Sequence, residues 1–147
     1  MYQRILVAID GSATATRALD EAVQLARQTG GTLCLMHVSD ESHYATGFET
    51  GQAFFEDVVP FIKKSGNEIL AAGRARTDGV PVETLLADGL GKSVAELVVI
   101  QARAWPAELI VVGTHGRHGI GRAVMGSDAE SIVRRSPVPV LLVRTPE

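Results

Sequence analysis

The feature that most constrains this chain is a short apolar run near its start, Arg4-Ile5-Leu6-Val7-Ala8-Ile9, which is rich in β-branched residues and ends abruptly in Asp10-Gly11-Ser12. A run with no polar residue at alternate positions from Ile5 onward fits a strand that is covered on both faces. Further strand segments follow at Thr32 to Val38, Val82 to Ala87, Glu108 to Val112 and Val140 to Val143, and helical segments lie between them. Strands that alternate with helices predict right-handed β-α-β crossovers, so the fold class is α/β, with a mostly parallel sheet and helices on both faces. With 147 residues, the chain has room for one ordinary domain over 1–147.

Local signals set the expected element boundaries. Ser12 caps the first helix, in which Ala15, Ala18, Leu19, Ala22 and Ala26 recur at helical spacing, and Thr29-Gly30-Gly31 stops it. Ser39 to Thr50 is a polar connection that carries His43 and Tyr44 without a clear period, and it is expected to be a mobile loop. Helix resumes over Gly51 to Val59. Pro60 removes a backbone donor, so two helical pieces are expected, the second from Phe61 to Thr77. Gly89 and Gly91 turn the chain into a helix from Ser93 to about Arg103, and the last helix runs from Ser127 to Arg135.

Composition narrows the partners. With 14 basic and 17 acidic residues the net charge is -3, which gives no general attraction to nucleic acid or to an anionic membrane. No apolar run approaches the ~20 residues of a membrane span, and Met1-Tyr2-Gln3-Arg4 leads straight into a strand, so no membrane insertion and a cytoplasmic location are expected. The single Cys34, within Leu33-Cys34-Leu35-Met36, has no internal disulfide partner and reads as a small packed residue.

Chemistry concentrates between Val111 and Ser127. Glycines at 113, 116, 119, 121 and 126 allow bare N–H groups to approach a ligand, and Arg117, His118 and Arg122 add positive charge. Ser127 opens a helix whose free N–H groups and dipole form an anion site, for which phosphate is the natural guest. In parallel sheets ligands sit beyond the carboxyl ends of the strands, and Asp10, Val38, Asp88 and Gly113 all fall there, so they are expected around one crevice. A dinucleotide fingerprint would need Gly-x-Gly-x-x-Gly after the first strand, where the chain has Asp10-Gly11-Ser12. Gly89-Leu90-Gly91-Lys92-Ser93 suggests a P-loop, but Leu86 stands where the first glycine is required, and the segment reads as a turn and a helix cap.

Gly113-x-x-Gly116, followed by nine residues and then Gly126-Ser127, resembles the nucleotide-binding signature of the universal stress protein family. The resemblance extends to Ile5 through Ser12, to Leu35-Met36-His37-Val38, to Glu108 through Arg117, and to Ser136 through Val143, in the family's order. It implies a Rossmann-like, adenine nucleotide alpha hydrolase-like fold whose five-stranded parallel sheet has the order 3-2-1-4-5. It implies an ATP pocket, with ADP or AMP as alternatives, in which Ala8, Asp10 and the Val38 backbone lie on the adenine and ribose side. Val112, Gly113, Gly116, Arg117 and His118 would line the ribose and phosphate path, while Gly126 and Ser127 would meet the β and γ phosphates. It further implies a homodimer in which Val140 to Val143 pairs antiparallel with its copy, an arrangement that would also protect an apolar edge strand.

Asp128 departs from many family members, in which an apolar residue follows the Gly-Ser pair. Two readings meet there. In the first, Ser127-Asp128-Ala129-Glu130 is a capping box with Glu130 reaching back to the Ser127 N–H. In the second, Asp128 or Asp10 helps to hold Mg²⁺ against the phosphates. Ser-x-x-Glu before an apolar stripe favours the cap. His115 and His118 lack a third metal ligand at a recognisable spacing and a paired nucleophile, so a role in the loop is expected; His37, in an apolar strand, reads as a satisfied core residue, and Trp105-Pro106 as a packed turn.

Three functions remain in view. One is an ATP-binding, dimeric stress-response module that acts through an unknown protein partner, with at most slow ATP hydrolysis because no acid/base pair or activated nucleophile is evident. Another is an adenylating enzyme, for which 39–50 would have to cover a substrate. The last is a dimeric interaction protein without nucleotide.

Overall fold

A computed structural model describes residues 1–39, 51–89, 91–115 and 125–145. Its elements in order are β1 (Arg4–Ala8), α1 (Ala13–Thr29), β2 (Thr32–Ser39), α2 (Gly51–Ala53), a π-helical turn (Phe54–Val58), α3 (Val59–Arg74), β3 (Val82–Asp88), α4 (Val94–Ala104), β4 (Leu109–Gly113), α5 (Ser127–Arg135) and β5 (Val140–Val143). The strands form one sheet in the order β3-β2-β1-β4-β5, as the family resemblance implies. Every neighbouring pair is parallel, with Val7 opposite both Leu35 and Val111.

The double-sided burial expected of the first strand is realised residue by residue. Ile5, Leu6 and Val7 are all fully buried, which contributes roughly 1.5–3 kcal/mol for each side chain. Because side chains alternate across a strand, Ile5, Val7, Leu33, Leu35, Leu109 and Val111 pack with Leu19 and Ala22 of α1 and Leu70 of α3. Leu6, Cys34, Met36, Ile110 and Val112 fill the opposite face under Val98 of α4 and Ile132 of α5. Helices therefore cover both faces, α1 and α3 on one and α4 and α5 on the other.

The caps follow their sequence signals at α1 and α4. Ser12 Oγ accepts from the Ala15 N–H at 3.1 Å, and Gly30 closes α1 in the left-handed conformation with φ 71°. Ser93 and Glu96 form a reciprocal capping box at α4, just after Gly91 turns the chain with φ +78°. At Pro60 the expected break is absent. The ring sits in the first turn of α3, and the carbonyls its missing N–H would face belong to the π-helical turn that runs directly into it. The chain enters α3 through the π-helical turn instead, and α3 stops at Arg74 rather than Thr77, whose Oγ1 donates to the Arg74 carbonyl at 2.7 Å. The connection expected to be a mobile loop lies outside the described residues apart from Ser39, which extends β2.

Among the described residues no helix is long and apolar enough to cross a membrane. Cys34 is buried, and removal from water pushes its thiol up to about 11; the contact with Gln101 Nε2 lowers it slightly and the charge of Glu83 raises it. Trp105 packs partly against the α4 face of the sheet, and its indole N–H donates to Glu83.

Candidate nucleotide site

The strand order places a switch point between β1 and β4, since the chain leaves β1 toward β2 and later crosses to the other side to form β4. Each element contributes a small amount of geometry at this carboxyl edge. Beyond β1, Ile9 keeps the ladder with a hydrogen bond to the Met36 carbonyl at 2.9 Å, and the chain then turns at Asp10-Gly11-Ser12. Asp10 Oδ1 accepts from the Ser12 N–H at 2.9 Å, and Gly11 takes φ +82°, a region that costs a side-chain-bearing residue strain. The half-buried Asp10 carboxylate is thereby fixed at the sheet edge.

His37 supports this turn from below. It is buried, and its Nδ1 lies 2.8 Å from the Ile9 carbonyl, so the imidazole ties β2 to the end of β1 as a core residue. Gly66 of α3 packs directly on it, since a Cβ there would lie 3.0 Å from the His37 ring and 2.6 Å from Leu86 Cδ1. One strand away, Val38 and Ser39 pair with Ala87 and Asp88, and the Gly89 N–H donates to the Ser39 carbonyl at 2.9 Å. Ala8, Asp10, Val38, Asp88 and Gly113 thus all stand along one edge of the sheet.

At β4 the glycine loop begins. Gly113 lies so close to the first turn of α1 that a Cβ would meet Thr14 Cγ2 at 2.7 Å, and this closeness joins the β4 terminus to the β1–α1 turn. Val112 and Thr114 are buried, and the Thr114 N–H donates to the Val143 carbonyl at 2.9 Å. Its carbonyl accepts from the Gly126 N–H at 2.6 Å. This bond pins the two ends of the loop together and sets the start of α5 beside the end of β4. A Cβ on Gly126 would lie 3.0 Å from the Thr114 oxygen, so any larger residue there must shift this contact by a few tenths of an ångström. Gly116, Arg117 and His118 lie outside the described residues.

The capping box expected at Ser127 is not formed. Gly126 is the N-cap of α5, with no side-chain cap hydrogen bond, and Ser127 is the first helical residue. The Glu130 carboxylate instead accepts from Arg134 Nη2 at 2.6 Å, one turn along the exposed face. Asp128 and Glu130 in the first turn, with Arg134 and Arg135 in the last, complement the helix dipole. The consequence is an α5 N-terminus without a serine cap, placed at the switch point, which is the geometry of an anion site.

Among the described residues no group of three or more histidine, cysteine, aspartate or glutamate side chains is arranged to hold a metal ion. Mg²⁺ bound chiefly through phosphate oxygens would need one or two carboxylates; Asp10 in the β1–α1 turn and Asp128 in the first turn of α5 fit that chemistry, whereas Asp88 stands two strands from β1 at the end of β3. Thr14 and Thr114 were not signalled by sequence spacing. Both owe their place to long-range packing of α1 on β4 and of β5 beside it.

The comparisons agree with this architecture. The universal stress protein family pattern matches residues 1–144. Universal stress protein YxiE of Bacillus subtilis is 35% identical over 151 aligned residues, covering 98% of this chain and all of the relative. A solved structure from the universal stress protein family of Burkholderia pseudomallei is 32% identical and superposes with a TM-score of 0.77, covering 98% of this chain and 97% of the other. A universal stress protein solved in complex with cAMP is 27% identical, with a TM-score of 0.71 and 99% of each chain covered.

Proposed function

Because this chain belongs to the universal stress protein family, we propose that it binds an adenine nucleotide, ATP together with Mg²⁺, at the carboxyl ends of β1, β2 and β4. In this reading it works as a single-domain, homodimeric cytoplasmic module that signals the nucleotide state to a protein partner. The observation that carries the reading is the hydrogen bond from the Gly126 N–H to the Thr114 carbonyl. It brings the α5 N-terminus to the switch point, where main-chain donors and the dipole favour a phosphate. The cAMP complex of a 27% identical relative supports the adenine nucleotide class.

Ala8, Asp10 and the Val38 backbone would receive the adenine and ribose. Val112 and Gly113, with Gly116, Arg117 and His118, would line the path toward the phosphates. Ser127, beside Gly126 whose own N–H is held by the Thr114 carbonyl, would offer its main-chain N–H and hydroxyl to the β and γ phosphates, and Asp10 or Asp128 would share the Mg²⁺ with the phosphate oxygens. β5 ends the sheet on the open side, and Leu141 there is 40% exposed, which supports pairing of Val140–Val143 with a second copy.

The test is mass spectrometry of the nucleotide released when freshly purified protein is denatured, followed by titration with ATP and AMP with and without Mg²⁺. An adenine nucleotide in the purified protein, and ATP binding strengthened by Mg²⁺, are the expected results. A protein that carries no nucleotide and binds none at millimolar ATP would overturn the reading.

A further inference from the structure

The sheet has two outer strands. β5 at one side is 4 residues long and is assigned above to the homodimer, whereas β3 at the other side is 7 residues long. Two hydrogen bonds fix which groups of β3 serve the sheet, from the Leu33 N–H to the Pro81 carbonyl and from the Gly89 N–H to the Ser39 carbonyl, both at 2.9 Å. In a parallel ladder the N–H and C=O of one residue face the same neighbour and those of the next residue face away. Odd-numbered residues of β3 therefore face β2, and the main-chain groups of Val82, Thr84 and Leu86 turn outward. Among the described residues no hydrogen bond reaches these outward groups.

Edge strands are commonly guarded by a lysine, a proline within the strand or a bulge. β3 contains neither lysine nor proline, and it pairs with β2 without interruption from Val82 to Asp88. Its charged residues are Glu83 and Asp88, toward the two ends, so Thr84 to Ala87 is an uncharged stretch. Half-buried apolar side chains border the edge on both faces, Leu85 and Trp105 on the α4 side and Val82, Leu86 and Ile69 on the α3 side. The bond from the Trp105 indole to Glu83 holds that ring at the border.

We propose that the outer edge of β3 receives an extended, basic segment of a partner protein, which adds to the five-stranded sheet as a further strand. This docking rests on the reading of the chain as a module that acts through a protein partner, and it does not depend on the nucleotide. Main-chain donors and acceptors at every second residue fit an extended backbone. The carboxylates of Glu83 and Asp88, with no cation on the strand, call for lysine or arginine in the partner, and the half-buried borders call for apolar side chains at alternate positions. A second copy of this chain does not meet these terms. Two β3 strands would gather carboxylates without a cation, and self-pairing at both edges of the sheet would give an open polymer in place of a closed dimer.

The test selects displayed random peptides of about nine residues, long enough to span β3, against the whole protein. Enriched peptides are expected to alternate apolar and polar residues and to carry lysine or arginine. Amide hydrogen exchange read by NMR should show the Thr84 and Leu86 amides exchanging quickly in the free protein and protected once such a peptide is bound, with the β2-facing Leu85 amide slow in both. Thr84→Pro removes an outward donor and no bond to β2, so it should weaken the peptide by about tenfold or more while ATP affinity and circular dichroism stay at wild-type values. Glu83→Gln keeps an acceptor for Trp105 without the charge, and should weaken the peptide by about threefold at low salt and less at high salt. Slow exchange of the Thr84 and Leu86 amides in the free protein would overturn the proposal, because the edge would already be covered. So would a selection that enriches no alternating basic peptide, or binding by Thr84→Pro within about twofold of wild type. Wild-type polymers that Thr84→Pro disperses would also overturn it, making a second copy the occupant. The nucleotide reading fails separately, on the ATP titration described above.

Discussion

Single residues decide whether the β4–α5 loop can close. Gly126 approaches the Thr114 carbonyl so nearly that a Cβ would stand at 3.0 Å, and a larger side chain must push the two segments apart. Gly126→Val is therefore expected to lower ATP affinity by about tenfold or more while far-UV circular dichroism stays unchanged, because the added side chain displaces the main-chain donors at the α5 N-terminus from a charged group and takes nothing from core packing. Unchanged affinity would show that the phosphates lie elsewhere. Cys34 makes a separate prediction. Its thiol is pushed from 9.0 to about 11 by burial, so the folded state holds its proton more tightly than the unfolded one. The stability linked to that proton is present in full below 9.0 and is lost as the pH rises toward about 11. Denaturant unfolding across that interval should show a steeper loss for wild type than for Cys34→Ala, and parallel curves would contradict the assignment.

At the level of elements, α4 and α5 begin in different ways although each starts near a serine followed three residues later by glutamate. At α4 the serine precedes the helix and closes the capping box, whereas at α5 the equivalent serine is already helical and glycine takes the cap. Ser93→Ala should accordingly cost about 1 kcal/mol in chemical denaturation. Ser127→Ala should stay within about 0.5 kcal/mol of wild type in the same assay and yet weaken ATP binding, since its hydroxyl is assigned to the ligand. A stability loss at Ser127 as large as that at Ser93 would restore the capping box. The π-helical turn before α3 belongs to this scale too: it accommodates the entry into a helix whose first turn contains Pro60.

For the whole molecule, the open edge of the sheet is the feature with the largest consequence. The Pro139 and Val143 carbonyls accept from the Ile110 and Thr114 N–H groups, so odd-numbered residues of β5 face β4. The period of two then turns the Leu142 N–H toward the open edge. Leu142→Pro removes that outward donor without taking a bond from the β4 ladder. Sedimentation equilibrium is expected to find wild type as a dimer and the variant as a monomer with native circular dichroism. A variant that remains dimeric would place the interface elsewhere.

Much of this fold was legible in the sequence because its determinants are local. Apolar runs marked every strand to within a residue or so, Ser12 and Gly30 marked the ends of α1, and the alternation of elements required a parallel sheet with helices on both sides. The glycine spacing and its flanking segments pointed to the family. What the sequence left open depends on contacts between residues far apart in the chain. Whether Ser127 caps α5 or begins it is decided by Thr114, whose carbonyl takes the Gly126 N–H and sets where the helix starts. Gly113 faces Thr14, and His115 is left with a buried unpaired nitrogen, because β4, α1 and α5 converge at one edge. Local propensity is the same in any fold that contains these segments, whereas a hydrogen bond or a close approach between them exists only once the sheet has brought them together.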